Sequence, residues 1–356
     1  MPKVTTLSSD PRGRGSVERA RPTMRDVAAL AGVSLKTVSR VINAEPAVSA
    51  DLLARVQRAI EQLDYRPNLT ASSLRRSDGK TATVGLVLED LANPYSAAVA
   101  RAVEDAARPR RVTVVAGSVD EDPERERALI REFVDRRVDG LIVAPTPSDQ
   151  SYLVADRRAG TVLVFVDRPP NHLDADVVVA ANREGARDGM RHLLEGGHRR
   201  IAFLGDLSTI STASERFAGY VEAIERAGLW VDGAIVRREL RGVDAAKAAV
   251  DELLTLALPP TAIFAAQNVL GIGAFAALRG RRRQFDVALV GFDDFPLADL
   301  LDPGVTVVAQ DPAAIGRLAA ETLFRRLDGD HSPSTVQVVP TRLIVRGSGE
   351  IAPPVA

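Results

Sequence analysis

TMRDVAALAGVSLKTVSRVIN, residues 23–43, carries two short amphipathic patterns joined by Gly32-Val33-Ser34. Thr23 followed by Asp26 has the spacing of a capping box, and Ser34 stands just before the second pattern, where a helix cap belongs. Val27, Ala28, Ala31, Val33, Val38 and Val41 form small apolar faces that let two helices cross closely. The opposite face of the second helix shows Leu35, Lys36, Thr37, Ser39, Arg40 and Asn43. Their hydroxyls, ammonium, guanidinium and amide are groups that reach phosphate oxygens and base edges. The spacing predicts a helix-turn-helix with Leu35 to Asn43 as the recognition helix. A helical hairpin inside an ordinary core carries the same bare pattern, so the motif alone leaves both readings open.

Working outward, Ser49 is placed to cap a third helix running to about Asp64, with Leu52, Leu53, Val56, Ile60 and Leu63 as its apolar stripe. Tyr65-Arg66-Pro67-Asn68 ends it, because a proline disfavours helix in the residue before it. The following stretch, 68–76, is too short and too weakly apolar to hold a helix alone in water. On the other side, residues 1–21 are rich in Pro, Gly, Ser and Arg without a hydrophobic period, the composition of a disordered arm.

A chain of 356 residues has room for two or three domains. It has no cysteine, which excludes a disulfide framework, a thiolate metal site and a cysteine nucleophile. Its four histidines form no HxxxH or HExxH pattern, so no metal or other cofactor is expected. No apolar run approaches the roughly 20 residues that span a bilayer, and the N-terminus lacks the apolar core of a signal peptide. A soluble cytoplasmic protein without a membrane partner is expected. Charge is uneven: residues 1–80 hold 14 Lys+Arg against 8 Asp+Glu, whereas the rest hold 32 against 39. A basic head on an acidic body fits a head that meets a polyanion.

From Thr83 the pattern changes to alternating strands and helices. Strand-like runs lie at 84–88, 112–116, 140–143, 162–166, 177–180, 201–204, 262–265, 287–290 and 306–309, with amphipathic runs between most of them. Repeated βα units imply parallel sheets covered on both faces, and nine strands are many for one sheet. In such sheets ligands bind beyond the carboxyl ends of the strands. That rule nominates Asp90, Asn93 and Tyr95, then Asp167-Arg168, then a Ser/Thr-rich loop leading to Arg216. It also nominates Gln267-Asn268, Asp293-Asp294 and Gln310-Asp311. Carboxylates, amides, a guanidinium and an aromatic ring suit a neutral polyol. Singly, each strand-end aspartate is equally a turn or cap residue. No GxSxG, P-loop or complete GxGxxG supports an enzyme.

The string DVA…AGVS..TVSRV.N, then Val48-Ser49, Tyr65-Arg66-Pro67-Asn68, Ala71 and Leu74, resembles the lactose-repressor (LacI/GalR) family of bacterial transcription regulators. The resemblance implies an all-α helix-turn-helix headpiece at 22–67, a hinge helix and linker at 68–82, and an α/β core at 83–350 that binds effector and dimerises. That core would be periplasmic-binding-protein-like, with two Rossmann-like subdomains, one about 83–181 plus 310–339 and the other about 182–309 plus 340–350. It further implies a homodimer on a pseudo-palindromic double-stranded operator. Thr23, Ser34, Leu35, Lys36, Thr37, Ser39, Arg40 and Asn43 would contact DNA, as would Asn68, Ala71 and Leu74 of the hinge, with Leu74 wedging a minor-groove step. Arg216 in Glu215-Arg216-Phe217-Ala218-Gly219-Tyr220 matches the family's effector-contacting arginine, and Asp293 in GFDD its effector-binding aspartate. Tyr95 and Asp167 fall in the matching strand-end loops, and Gln267 and Gln310 join them as effector-binding candidates from their own strand-end places. One place departs: the family commonly has Asn-Asp where this chain has Gln267-Asn268.

The function so implied is a repressor released from its operator by a small sugar-like effector. Two other readings compete with it: a regulator that needs a purine or phosphosugar corepressor, and a sugar-binding protein without gene control. The short C-terminus, without a leucine heptad, favours a dimer over a tail-zippered tetramer.

Overall fold

The structure, a computed structural model, describes residues 22–42, 48–66 and 80–354. They belong to two compact units, one ending at residue 79 and the other beginning at Lys80. The arm at 1–21, the hinge segment up to residue 79 and, with them, Asn43, Asn68, Ala71 and Leu74 lie outside the described residues.

The first unit is helical: α1 (Met24–Ala31), α2 (Leu35–Ile42) and α3 (Ala50–Leu63). The capping box forms as its spacing predicts, with Thr23 N–H donating to Asp26 Oδ2 at 2.7 Å and Asp26 N–H to Thr23 Oγ1 at 3.4 Å. Ser34 and Ser49 accept from Thr37 N–H and Leu52 N–H in the same way. Val27, Ala28, Ala31, Val38, Val41, Val56, Ala59 and Tyr65 form one small core. Leu53, expected in the apolar stripe of α3, is 38 % exposed. Two eight-residue helices cover too narrow a strip of α3 to reach it.

The second unit holds two six-stranded sheets. Taken in chain order, the strands of the first half are β1 (Thr83–Leu88), β2 (Thr113–Ser118), β3 (Gly140–Val143), β4 (Val162–Val166) and β5 (Asp176–Ala180). They alternate with α4 (Pro94–Ala107), α5 (Pro123–Asp135) and the short α6 (Val154–Arg158). After β5 the chain passes to α7 (Asn182–Glu195), β6 (Ile201–Leu204), α8 (Ser211–Arg226), β7 (Val236–Arg237), α9 (Gly242–Leu253) and β8 (Ala262–Ala265). Then follow α10 (Asn268–Gly280), β9 (Ala288–Phe292), β10 (Thr306–Ala309), α11 (Pro312–Leu327), β11 (Val336–Val339) and β12 (Arg342–Ile344).

One sheet runs β11-β5-β4-β3-β1-β2, all parallel. The other runs β12-β10-β9-β8-β6-β7, with only β12 antiparallel. The chain therefore crosses between sheets after β5, after β10 and after β11. Both sheets are buried on both faces, as parallel sheets must be. Val84, Leu86 and Leu88 face α4 and α11, while Val87 faces α5. Ala202 and Leu204 face α9 and α10, while Ile201 and Phe203 face α7 and α8.

Strands β7, β11 and β12 exceed the nine runs read from the sequence. β7 and β12 have two and three residues, too few for a period, and β11 is an edge strand whose Val336 and Val338 point outward. Among the described residues no helix is long and apolar enough to cross a membrane.

Candidate functional site

In the helical unit, α1 ends at Gly32, whose φ of 62° is the left-handed cap that glycine tolerates best. Arg55 of α3 fastens this turn, donating from Nη2 to the carbonyls of Ala31 at 2.7 Å and Gly32 at 3.2 Å. The motif reading misses Arg55, since nothing in its own helix marks it. The turn leaves Ser34, Leu35 and Lys36 exposed at the start of α2, with Thr37, Ser39 and Arg40 half-buried beside them and Val38 and Val41 inward. The Thr23 and Ser34 hydroxyls are engaged in caps, Thr23 Oγ1 with Asp26 Oδ2 at 2.7 Å and Ser34 Oγ with Thr37 Oγ1 at 2.9 Å.

In the second unit, eight of the twelve side chains nominated from strand ends line one cavity, Asn93, Tyr95, Asp167, Arg168, Arg216, Gln267, Asp293 and Gln310, whereas Asp90, Asn268, Asp294 and Asp311 do not. Sheet topology explains the convergence. Asp167 follows β4 and Asp293 follows β9, which hold equivalent places in the two strand orders. Both aspartates have φ of 68°, and each donates its N–H to the neighbouring strand, at Val178 O (3.0 Å) and Val308 O (2.8 Å). Left-handed backbone at a non-glycine residue costs on the order of 1 kcal/mol and is least costly for Asp and Asn. Here it turns a carboxylate off each sheet and into the cleft.

Arg216 reaches the cavity from α8 because Gly219, one turn on, lets α8 press against α7. A Cβ on Gly219 would stand 2.4 Å from Arg183 O. The arginine is 5 % exposed, and its guanidinium lies 3.9 Å over the Phe292 ring. Its Nε donates to Asn182 Oδ1 at 2.8 Å, and its Nη1 to Ala266 O at 2.8 Å and Asp293 Oδ2 at 3.0 Å. A guanidinium has five N–H groups, and the two on Nη2 find no partner among the described residues. Gln310 donates from Nε2 to Asp293 Oδ1 at 2.6 Å. Burial raises the Asp293 pKa, against the opposing pull of Arg216 and Gln310. Asp294 is turned away and held bidentately by Arg346, at 2.7 Å to each oxygen. Among the described residues no cluster of His, Asp and Glu is placed to hold a metal ion.

Two polar atoms of residues that line this cavity are buried without a well-formed hydrogen bond among the described residues: the Tyr95 hydroxyl, which lies beside the Asp167 carboxylate, and Gln310 Oε1. Burial, then the nearby Asp167 and Asp293 carboxylates, lifts the Tyr95 phenol well above its ordinary range, so it stays a neutral donor. Burying such groups unpaired costs roughly 1–3 kcal/mol each, which a ligand hydroxyl would recover.

Glu89 and Asp206, which the strand-end rule does not name, emerge as lining residues only from the structure. They extend the cavity, and Arg168 sits beside them, bound bidentately to Glu121 at 2.7 and 3.0 Å and to Asp167 at 3.1 Å. Asn268 Nδ2 donates to Asn93 Oδ1 at 2.9 Å, and Arg241 Nη2 to Asp120 O at 3.3 Å. Both contacts bridge the two lobes. The cavity they close is about 50 Å³.

The chain matches two family models: the lacI family of bacterial regulatory proteins over residues 23–68, and the periplasmic binding protein-like domain over 190–349. It is 36 % identical to the HTH-type transcriptional regulator PtxS of Pseudomonas aeruginosa, over 94 % of this chain and 98 % of that protein. It is similar to the solved structure of the lac repressor dimer bound to operator and the anti-inducer ONPF, with TM-score 0.82, 26 % identity and coverage of 94 % and 100 % of the two chains. It is also similar to the transcriptional regulator CelR–cellobiose complex, with TM-score 0.68, 33 % identity and coverage of 92 % and 100 %. With its helix-turn-helix, its paired α/β sheets and relatives that align along nearly their whole length, the chain belongs to the lacI family of bacterial regulatory proteins, DNA-binding transcriptional regulators and not enzymes.

Proposed function

We propose that this regulator is a homodimeric repressor that a small, hydroxyl-rich, sugar-like effector releases from a pseudo-palindromic operator. The observation that carries the effector reading is the set of unsatisfied groups in one cleft: the Tyr95 hydroxyl, Gln310 Oε1 and the Arg216 Nη2 protons, beside the Asp293 and Asp167 carboxylates. Donors and acceptors are both present there, as the hydroxyls of a sugar require. The CelR relative, solved with cellobiose, supports the same ligand class. A purine or phosphosugar corepressor fits less well, because both cleft arginines already face carboxylates.

A cavity of about 50 Å³ is far below the roughly 300 Å³ or more of a usual small-molecule site. The lobes therefore open for entry, breaking the Asn93–Asn268 bridge, and close on the ligand. DNA reading falls to the exposed face of α2, with Lys36 and Arg40 as the base and phosphate contacts and Leu74 of the hinge as the minor-groove wedge. Dimerisation is supported by Leu297 and Leu300, which are 64 % and 74 % exposed and only three residues apart in the loop after β9.

Melting of the purified protein against a panel of free sugars, sugar phosphates and purines tests the reading. A sugar at 100 times its dissociation constant adds about 2.7 kcal/mol of stability. A shift with a phosphate or purine alone would move the function to corepression, and no shift with any compound would remove the effector reading.

A further inference from the structure

We propose that the Glu89 side of the cleft is a cation-accepting subsite, so that the effector presents a protonated amine there while its hydroxyls meet Arg216, Asp293 and Gln310. The inference rests on the sugar-like reading above and narrows it to an amine-bearing polyol.

The charge balance of the cavity carries it. Arg216 is matched by Asp293, and Arg168 by Glu121 and Asp167, all at ion-pair distance. Both guanidiniums in the lining are thus neutralised from within the protein. Glu89 and Asp206 line the same cavity and form no ion pair among the described residues. Asp206 Oδ1 accepts only the N–H of the next residue, Leu207, at 2.7 Å. The Glu89 carboxyl receives no hydrogen bond from any described residue, although its backbone carbonyl is held by Val119 and Asp120. Its neighbours come from three other strand ends: Glu121 after β2, Asp167 and Arg168 after β4, and Asp206 after β6.

Left to itself this arrangement is unfavourable. Burial first, then Glu121, Asp167 and Asp206, raise the Glu89 pKa to about 7 against the single opposing pull of Arg168. A half-buried carboxyl crowded by like charge is relieved by a cation more than by any neutral group.

That the site takes a ligand at all stands on a separate observation. Gln310, only 9 % exposed, lines the same cavity and carries a buried Oε1 without a hydrogen-bond partner among the described residues, and the Tyr95 hydroxyl is buried in the same way. These atoms call for hydroxyls, and the Glu89–Asp206 edge calls for positive charge. An ammonium donates three hydrogen bonds and accepts none, which suits two carboxyls that no guanidinium pairs with among the described residues, since Arg168 beside them is held by Glu121 and Asp167. A phosphate or carboxylate placed there would meet two unpaired carboxylates.

Titration calorimetry on the full chain near neutral pH tests this with matched probes: glucosamine against glucose, galactosamine against galactose, the N-acetylated amines as uncharged controls, and a hexose phosphate. The amine should bind about tenfold or more tightly than its neutral parent in at least one pair, the scale of one hydrogen bond to a charged group. N-acetylation should erase that advantage, and Glu89→Gln should bring amine and parent together. If Glu89→Gln does not fold, Asp206→Asn serves for the same comparison. Neutral sugars binding as tightly as their amines would overturn the cation subsite and leave the sugar reading standing. Tightest binding of the phosphate would also overturn it. If no probe binds, both readings fall.

Discussion

At the scale of single residues, the cleft depends on side chains held in costly states. Asp167 and Asp293 occupy left-handed backbone, Arg216 is buried, and Glu89 keeps a carboxyl among other carboxyls. Glu89 also makes stability depend on pH. Its folded pKa of about 7 lies above the unfolded value near 4.5, so the folded state holds the proton more tightly. Stability is therefore highest below the unfolded value and falls as pH rises through the folded one. Glu89→Gln should leave melting unchanged near pH 4 and raise stability above pH 7, by at most about 3 kcal/mol before solvent screening. Chemical denaturation at the two pH values checks this, and an equal change at both would show that the residue does not titrate in that window.

At the scale of elements, α2 presents Leu35 and Lys36 to solvent, with Thr37, Ser39 and Arg40 half-buried beside them. Val38 and Val41 hold it to α1 and α3, and Arg55 fixes the turn that aims it. Arg40→Ala should cost about 1–3 kcal/mol of operator binding and relax specificity at one base position. Footprinting with a panel of operator variants measures this, and an unchanged specificity profile would remove Arg40 from base reading.

The sequence makes much of this legible, for a physical reason. Helix caps and the 3.6-residue period are local, so α1 to α3 and their caps stand in the residues themselves. Strand runs followed by polar residues mark the cleft loops, which is why Tyr95, Asp167, Arg216, Gln267, Asp293 and Gln310 share one cavity. Contacts between residues distant in sequence leave no such trace. Arg168 and Glu121 are 47 residues apart, and Asn93 and Asn268 are 175 apart. Neither pair has a pattern that singles it out.

At the scale of the whole molecule, the proposed function requires coupling between cleft closure and DNA binding. Asn268 bears on closure directly. Its Nδ2 donates across the cleft to Asn93 Oδ1, which also accepts from Tyr95 N–H at 3.0 Å. The family's usual aspartate would place oxygen against oxygen there, so this chain's amide permits a bridge that a carboxylate opposes. Asn268→Asp should favour the open form and weaken effector binding about tenfold, the loss of one hydrogen bond with an acceptor left facing another. Calorimetry with the effector would show it, and unchanged affinity would mean that the bridge does not govern closure.

The most direct measurement is the affinity of the full chain for its operator, selected from random DNA, with and without the sugar that stabilises it. The account predicts that the sugar weakens operator binding by about 1–3 kcal/mol, the usual span of allosteric coupling, and that Arg216→Ala removes this response. Operator affinity that stays the same with the sugar bound would contradict it.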